Sequence, residues 1–198
     1  RIGNTVDDAD TVIWGDNGSG GMTPYLTIDG SASSVNISGG GALKINVKKI
    51  SRSYFIGKGF LNTSSKIFVR ILSRVEDQVI DEKFFRNIIE NSNNSRIDLG
   101  YKNSYRVLFA EADGIPGLVV DKYGDYLSIQ TLSLGIDMRK EMFVNILVDI
   151  FKPKGIYERN DVSVRKKEGL DQVKGVLYGE VPDLVLIKEN ELDMEIDI

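Results

Sequence analysis

The sequence predicts an α+β protein in which a β-rich N-terminal part precedes a region of antiparallel strands with one long helix. Short runs that alternate apolar and polar residues dominate the first 75 residues, and a period of two is typical of strands. Farther on, a segment with apolar residues at helical spacing predicts the helix, and glycine-containing turns between apolar runs predict the antiparallel strands. A length of 198 residues is enough for one or two domains.

Residues 1–46 form an atypical glycine-rich segment of strands and irregular structure. The runs "GDNGSGG", "DGSASS" and "SGGG" separate short alternating stretches such as "YLTIDG" and "SVNISG". Because no Lys-Ser/Thr pair or helix follows "GSGG", this run is not a phosphate-binding loop. The acids of "DDAD" and "GDNG" also lack the spacing of a calcium loop that ends in Glu.

Residues 47–75 read as further strands, with "IGKG" and "NTSS" as the turns between them. In the run "SKIFVRILSR", alternation places Lys66, Phe68 and Arg70 on one face of a strand. Two bases with an interleaved aromatic suit a nucleic-acid surface, and they suit an ordinary solvated face equally well. We place a domain boundary near residue 75.

The region 76–198 combines helices and strands. "DEKFFRNIIENS" predicts a helix with Asp81 as its N-cap, which the polar connector "NSNNSRIDLGYKNS" then ends. The best helix is "GIDMRKEMFVNILVDIFKPKG", which Asp137 is expected to cap. A short helical turn is predicted in "VSVRKKEG". Strands are predicted at 106–109, 117–121 and 126–131 and in the runs "GIYERND", "GVLYGE", "DLVLIKENE" and "LDMEIDI".

The turn chemistry within this region is well marked. "DGIPG" places Gly114 and Gly117 where a positive φ is needed, and "KYGD" places Gly124 in the same role. The three strands on either side of these turns therefore form an antiparallel meander.

The composition excludes several kinds of site. The chain has neither Cys nor His, which excludes zinc-thiolate sites, cysteine nucleophiles and Ser-His-Asp triads. The acid pairs Glu111/Asp113 and Asp121/Asp125 could act in acid–base catalysis or bind Mg²⁺ weakly, although acids beside turn glycines are more typical of backbone hydrogen bonding. The sequence has no Walker loop and no dinucleotide fingerprint.

Charge and hydropathy say little about location or partner. The net charge of −4 gives no overall basic field for nucleic acid. No run of about 18 apolar residues is present, so we predict no transmembrane helix and no membrane partner. The lack of Cys fits a reducing compartment, and a cytoplasmic location is expected. One dense basic cluster consists of Arg159, Arg165, Lys166 and Lys167, which fits either a solvated helix end or phosphate contact.

Three long strings carry a family resemblance. "YRVLFAEADGIPGLVVDKYGDYLSIQ", "GIYERNDVSVRKKEGL" and "GVLYGEVPDLVLIKENELDMEIDI" closely resemble class I S-adenosylmethionine-dependent large-subunit rRNA (cytosine-C5) methyltransferases of the RlmI type. Upstream, "IGKGFLNTSSKIFVRILSR" looks like the last strands of that family's RNA-binding PUA barrel. The resemblance covers roughly residues 47–198.

The resemblance implies a PUA domain, a central α+β domain and a Rossmann-like methyltransferase domain in the full-length family. On this basis, residues 47–75 are the remainder of an incomplete PUA-like barrel and 76–198 are the central domain, and the domain that binds S-adenosylmethionine is absent. No catalytic, cofactor or metal residue is carried over, and the chain alone is expected not to transfer methyl groups. The implied partner is ribosomal RNA, and a homodimer is possible for the full-length enzyme.

Three hypotheses follow. In the first, the chain is the RNA-positioning part of an rRNA methyltransferase. Its phosphate contacts would be Lys58, Lys66, Arg70 and Arg74 on the barrel side and Arg159, Arg165, Lys166 and Lys167 on the central domain. In the second, it is a phage-like structural or assembly protein that self-associates through residues 1–46 and has no RNA role. In the third, it is a small hydrolase that uses Glu111 and Asp113.

Overall fold

A computed structural model describes residues 2–3, 12–16, 22–26, 43–49, 52–189 and 192–198 of the chain. The fold divides into two compact units. Unit 1 comprises Arg1–Leu61 and Val69–Ile80, and unit 2 comprises Asn62–Phe68 and Asp81–Ile198. The strand predicted at 34–38 and the glycine-rich runs at 17–21 and 39–42 lie outside the described residues. The predicted boundary near residue 75 and the PUA-like identity of 47–75 stay predictions.

The strands in the described part of unit 1 are antiparallel. Strands β1 (Ile2–Gly3), β2 (Val12–Asp16) and β3 (Met22–Leu26) pair in the order β1-β2-β3. Strands β4 (Leu43–Lys49), β5 (Arg52–Leu61) and β6 (Val69–Ser73) pair in the order β4-β5-β6.

The predicted "IGKG" turn is wrong, because Ile56 to Gly59 lie inside β5. A Cβ on Gly59 would lie 2.0 Å from the carbonyl oxygen of Arg70, and one on Gly57 would lie 2.7 Å from Cγ2 of Ile71. The pairing register shifts between Lys58 and Gly59. The glycines therefore permit close approach at a strand irregularity rather than a chain reversal.

Unit 2 is built on a five-stranded sheet with the order β11-β10-β9-β8-β7. Its strands are β7 (Ser104–Phe109), β8 (Leu118–Tyr123), β9 (Tyr126–Thr131), β10 (Gly155–Asn160) and β11 (Val173–Gly179). Strands β9 and β10 pair in parallel, whereas the other neighbours are antiparallel. A parallel pair needs a crossover, which helices supply between β9 and β10.

The helices of unit 2 are α1 (Glu82–Asp98), α2 (Leu134–Asp137), α3 (Lys140–Phe151) and α4 (Val164–Lys167), with a 3₁₀ turn at Ala110–Asp113. A separate hairpin consists of β12 (Val185–Glu189) and β13 (Leu192–Ile196). Strands and helices together confirm the predicted α+β class. No helix in the described ranges combines the length and the apolar character needed to cross a bilayer.

The meander and its turns agree with the prediction. Strands β7, β8 and β9 coincide with the predicted runs to within a few residues. Gly114, Gly117 and Gly124 have φ values of 85°, 89° and 58°, which is the left-handed region that glycine occupies without strain. Local turn chemistry was therefore sufficient to position this part of the sheet.

Two helix boundaries differ from the prediction. Asp81 does cap α1, since its Oδ1 accepts a hydrogen bond of 2.9 Å from the backbone N–H of Phe84. The helix nevertheless continues to Asp98 instead of ending at the Asn-rich run. A tertiary contact favours this extension, because the buried Ser92 hydroxyl donates to the carbonyl oxygen of Val107 at 2.6 Å. Asp137 does not cap the long helix; it is the last residue of α2, and α3 begins at Lys140.

The main core of unit 2 lies between the helices and the sheet. Helix α1 packs against β7 and α3. The rings of Phe85 and Phe143 meet edge to face with centroids 5.1 Å apart, and both side chains are almost fully buried. A smaller cluster forms where Val185, Ile187 and Ile198 pack against partly buried residues that include Tyr123, Tyr126 and Tyr157.

Candidate nucleic-acid interface

Helix α4 presents two lysines to solvent and has two buried charged residues beside them. Lys166 and Lys167 are exposed, whereas Arg165 and Glu168 are only 2% and 3% exposed. The helix has four residues, and a helix of that length is not stable by itself in water. Its position therefore depends on the contacts of Arg165 and Glu168.

Arg165 fixes the first end of α4. Its Nη1 donates to Oδ1 of Asp137 at 2.9 Å and to the carbonyl oxygen of Thr131. Its Nε donates to the carbonyl oxygen of Asp171 at 2.7 Å. A guanidinium with these partners and so little exposure does not face a phosphate in solvent. The structure thus separates the buried Arg165 from the exposed Lys166 and Lys167, although the sequence places all three in one basic cluster.

The contacts of Arg165 belong to a larger buried network at the ends of β9 and β10. Lys140 Nζ lies 2.6 Å from Oε2 of Glu158, and the Asn160 side chain donates to the same oxygen at 2.8 Å. Asn160 also donates to the Thr131 hydroxyl at 2.9 Å, and that hydroxyl donates to Asp137 at 2.6 Å. Each charge in the network has a partner of opposite sign, which is what burial of charge requires.

Asp137 carries most of the electrostatic connections in this network. Burial raises the pKa of its carboxyl group, but hydrogen bonds from Arg165 and Thr131 and the charges of Lys140 and Arg165 lower it. The net result is a pKa below the ordinary value of 3.8, so the carboxylate stays ionised at neutral pH. An ionised Asp137 is the counter-charge that keeps Arg165 in place.

Glu168 fixes the second end of α4 to the segment Asn62–Phe68. Its Oε1 accepts a hydrogen bond of 2.6 Å from the Ser65 hydroxyl, and its Oε2 accepts one of 3.0 Å from the Asn62 side chain. Asn62 donates also to the carbonyl oxygen of Glu168 at 2.8 Å. Asn62 and Ser65 are themselves buried, at 7% and 8% exposure. The segment is therefore held against the end of α4.

This contact joins the loop that carries a third exposed lysine, Lys66, to the helix that carries Lys166 and Lys167. We call Lys66, Lys166 and Lys167 the lysine platform. The side chains next to Lys66 in sequence, Ile67 and Phe68, are 58% and 37% exposed. Cations beside an exposed aromatic ring are suited to a nucleic-acid backbone with unstacked bases.

The structure places the predicted strand face of Lys66, Phe68 and Arg70 differently. Strand β6 begins only at Val69, so Lys66 and Phe68 precede it and do not alternate with Arg70 along a strand. The backbone N–H of Asn62 donates to the carbonyl oxygen of Phe68 at 2.7 Å, and the Ser65 hydroxyl accepts from the N–H of Ile67 at 3.1 Å. These bonds close the segment into a loop, which a pattern of period two does not reveal.

The remaining predicted phosphate contacts lie elsewhere. Arg159 is in β10, and its Nε lies 3.3 Å from Oδ1 of Asp161. Lys58, Arg70 and Arg74 belong to unit 1. Lys58 Nζ donates to the carbonyl oxygen of Gln78 at 2.7 Å, and the Arg74 guanidinium is 3.4 Å from the carbonyl oxygen of Ile56. Unit 2 thus gathers three of the eight predicted cations on its platform.

Three acids of the two predicted carboxylate pairs, Asp113, Asp121 and Asp125, have structural partners. Asp113 accepts hydrogen bonds of 2.6 Å from Arg96 and from the N–H of Phe109. Asp121 accepts a bidentate pair from Arg106 at 2.8 and 3.0 Å, and Asp125 lies 2.7 Å from Lys154. In the ranges that the structure covers, no three acidic side chains come together as a metal site. Asp113 and Asp121 therefore orient arginines.

Sequence reasoning missed the residues that hold the platform, namely Asn62, Ser65 and Glu168. The sequence pattern indicates only a turn for Asn62 and Ser65, and only a short helical turn for the run that contains Glu168. The available signal was the spacing of three between Arg165 and Glu168, which places both on one side of a helical turn while the lysines between them point away.

Comparison with known proteins identifies relatives over most of the chain. Ribosomal RNA large subunit methyltransferase I of Vibrio cholerae is 42% identical over 148 residues, which is 73% of this chain. The proteins of the same name from Aliivibrio fischeri and Pseudoalteromonas atlantica are 39% and 38% identical over the same share. The match spans 37% of the length of each of these curated relatives. No protein-family model matches the sequence.

Solved structures share the fold. A protein from Streptococcus mutans described as a SAM-dependent methyltransferase superposes with a TM-score of 0.58 at 20% identity, and covers 73% of this chain. A crystal structure described as that of a methyltransferase complexed with SAH superposes with a TM-score of 0.59, also at 20% identity. In both cases the match spans 37% of the solved chain.

Proposed function

We propose that this chain, a homologue of ribosomal RNA large subunit methyltransferase I over 73% of its length, binds and positions ribosomal RNA for methylation. Methyl transfer from S-adenosylmethionine to a cytosine C5 is the chemistry that the family resemblance implies. We assign no residue of these 198 to the methyl donor, since the sequence has no glycine-rich turn between a strand and a long helix. We therefore propose that this chain contacts the RNA, and that the enzyme to which it contributes is cytoplasmic.

The observation that supports RNA contact is the lysine platform. Lysine ammonium groups bind phosphate as point charges, and each neutralised phosphate releases counterions and strengthens binding at low salt. Lys66, Lys166 and Lys167 are exposed, whereas the residues that hold them in place are buried. Because buried contacts hold the backbone that carries these lysines, less backbone conformational entropy is lost on binding than if they lay on a mobile loop.

The other predicted cations fall into two groups, namely proposed phosphate contacts and one positioning residue. Arg159 in unit 2, and Lys58, Arg70 and Arg74 in unit 1, remain proposed phosphate contacts separate from the platform. Arg165 is better explained as a positioning residue, because its guanidinium is 2% exposed and bonded to Asp137, Thr131 and Asp171. Ribosomal RNA as partner and a homodimer in the full-length enzyme are also parts of the proposal.

The test is the salt dependence of binding to a structured fragment of large-subunit rRNA, measured by fluorescence anisotropy. The double variant Lys166→Ala/Lys167→Ala removes two platform charges. The matched control Lys83→Ala/Lys154→Ala removes two exposed charges from other parts of unit 2. If the platform contacts phosphate, its variant makes the negative slope of log K against log salt less steep by about 1.8, whereas the control leaves the slope nearly unchanged.

Two outcomes would contradict the proposal. Equal slopes for the two double variants would mean that the platform makes no phosphate contact. Wild-type binding that stays constant from low to high salt would remove the electrostatic basis altogether. In the second case, a chain that self-associates in size-exclusion chromatography with light scattering would support the assembly alternative instead.

A further inference from the structure

A separate pocket of unit 2 lies along β7 and β8 and is rich in aromatic rings. It has a volume of about 490 Å³, within the range of small-ligand sites. Its wall includes Tyr101, Tyr105, Phe109 and Tyr123 together with Arg96 and Arg106. We call it the aromatic pocket. None of its residues belongs to the lysine platform, so the proposed phosphate contacts do not explain it.

Two rings of the aromatic pocket are unusually open to solvent. Tyr101 and Phe109 are each 50% exposed. The Tyr101 and Tyr105 ring centroids are 6.1 Å apart, and the Arg106 guanidinium lies 4.9 Å from the centre of the Phe109 ring. Exposed rings next to a guanidinium plane provide flat surfaces on which a planar ligand can stack.

Each arginine of the aromatic pocket is paired with a carboxylate. Arg96 lies 2.6 Å from Asp113, and Arg106 holds Asp121 through bonds of 2.8 and 3.0 Å. A phosphate would have to compete with these carboxylates for the guanidinium donors, so the pocket is a poor anion site. The wall of the pocket presents both hydrogen-bond donors and acceptors. A nucleobase is a neutral ring whose edge also carries both, so it matches this wall.

The pocket is also held in shape before any ligand binds. Asp113 accepts from the N–H of Phe109 at 2.6 Å, and Arg96 Nε donates to the carbonyl oxygen of Arg106 at 3.2 Å. The Tyr105 hydroxyl donates to Asn93 at 2.8 Å. These bonds fix the strand end and the arginines, so little entropy remains to be lost when a ring enters.

We propose that the aromatic pocket binds an unpaired nucleobase of the RNA, which stacks on Phe109 and Tyr101. The inference rests on the proposed RNA function and adds to it a contact that reads a base rather than a phosphate. Phosphate contact and base contact differ in their dependence on salt and on the presence of the base, so the two can be tested independently.

The experiment compares two single-stranded RNAs with equal numbers of phosphates, one with normal bases and one with abasic central nucleotides. The full chain is expected to bind the normal RNA about tenfold more tightly or better, since stacking depends on the base. Tyr101→Ala and Phe109→Ala should each reduce this ratio towards one without changing the salt slope. Tyr178→Ala is the matched control, because Tyr178 is 41% exposed and lies in β11, outside the pocket.

The outcomes separate the two proposals. Salt-sensitive binding that is equal for the two RNAs would overturn the aromatic pocket and leave the lysine platform intact. A base preference that Tyr178→Ala lowers as much as Phe109→Ala would also overturn it. Failure to bind either single-stranded RNA, with salt-sensitive binding to the structured rRNA fragment retained, would overturn the aromatic pocket alone, and loss of binding to the structured fragment as well would overturn both proposals. Each variant's urea unfolding midpoint should stay close to that of the wild type, which would show that a lost preference for the normal RNA arises at the pocket and not from unfolding. If Phe109→Ala does not fold, Phe109→Leu takes its place.

Discussion

The Ser65 hydroxyl donates a hydrogen bond of 2.6 Å to the buried carboxylate of Glu168, although 103 residues separate the two in sequence. The contact holds the loop that carries Lys66 against the helix that carries Lys166 and Lys167. Glu168→Ala would leave the buried donors of Ser65 and Asn62 without this acceptor. We expect the free energy of unfolding in urea to fall by about 2–3 kcal/mol.

The direction in which the RNA affinity of Glu168→Ala changes is a second test of the role of Glu168. Removing an acidic residue makes the chain less negative, which by itself would strengthen RNA binding. If Glu168 positions the platform, binding weakens instead. Glu180→Ala is the control, because it removes the same charge from an exposed position. Stronger binding by Glu168→Ala, equal to that of the control, would contradict the positioning role.

Gly117 occupies a position that requires glycine for two reasons. Its φ is 89°, and a Cβ there would lie 2.5 Å from Oγ of Ser133. Gly100 has nearly the same φ, 92°, with nothing within 4 Å of the Cβ position. Gly100→Ala should therefore cost only the left-handed strain, about 1–2 kcal/mol, and Gly117→Ala should cost clearly more, about 3 kcal/mol or above. Equal losses in thermal or urea unfolding would show that the neighbouring loop adjusts to the new side chain.

Phe143 joins α3 to α1 through its edge-to-face contact with Phe85 and is fully buried. Phe143→Ala would leave a cavity in the main core, and we expect a loss of about 3–5 kcal/mol in the free energy of unfolding. Met138→Ala serves as the comparison because Met138 is 74% exposed. Its loss should stay within about 0.5 kcal/mol. A small loss in the free energy of unfolding for Phe143→Ala would show that Phe143 is not part of the main core.

The parts of the fold that could be predicted are those that local chemistry decides. The meander followed from alternation and from glycines that need a positive φ, and the start of α1 followed from Asp81 as a capping side chain. The "IGKG" run shows the limit of this approach. Glycine permits both a chain reversal and the close approach of a neighbouring strand, and only the position of Arg70 and Ile71 distinguishes them.

The sequence predicts which basic residues the candidate site contains, but not which of them are buried and which are exposed. Arg165, Lys166 and Lys167 are adjacent bases in sequence, and only tertiary packing separates the buried guanidinium from the exposed ammonium groups. Likewise, Asp137 has the sequence context of an N-cap, but its partners Thr131 and Arg165 are 6 and 28 residues away. Long-range partners of this kind leave no periodic signal in the sequence.

Asp137 makes the stability of the chain depend on pH in a definite direction. Burial opposes ionisation of its carboxyl group, but the bonds from Arg165 and Thr131 and the nearby Lys140 lower its pKa below 3.8 in the folded chain. A lowered folded pKa means that the ionised group stabilises the fold fully above the unfolded value of 3.8. This stabilisation is lost as the pH falls from there through the folded pKa.

Asp137→Asn keeps the shape of the side chain but removes the counter-charge of the buried Arg165. At pH 7 we expect a loss of about 3 kcal/mol in the free energy of unfolding, because an uncompensated guanidinium remains buried. The difference in unfolding free energy between variant and wild type should narrow in urea titrations as the pH falls from 3.8 through the lowered pKa of folded Asp137, where the wild-type side chain also becomes neutral. Asp149→Asn breaks an exposed pair with Arg86 and should change little at pH 7. A gap for Asp137→Asn that stays constant down to low pH would show that shape and hydrogen bonding, rather than charge, make Asp137 stabilising.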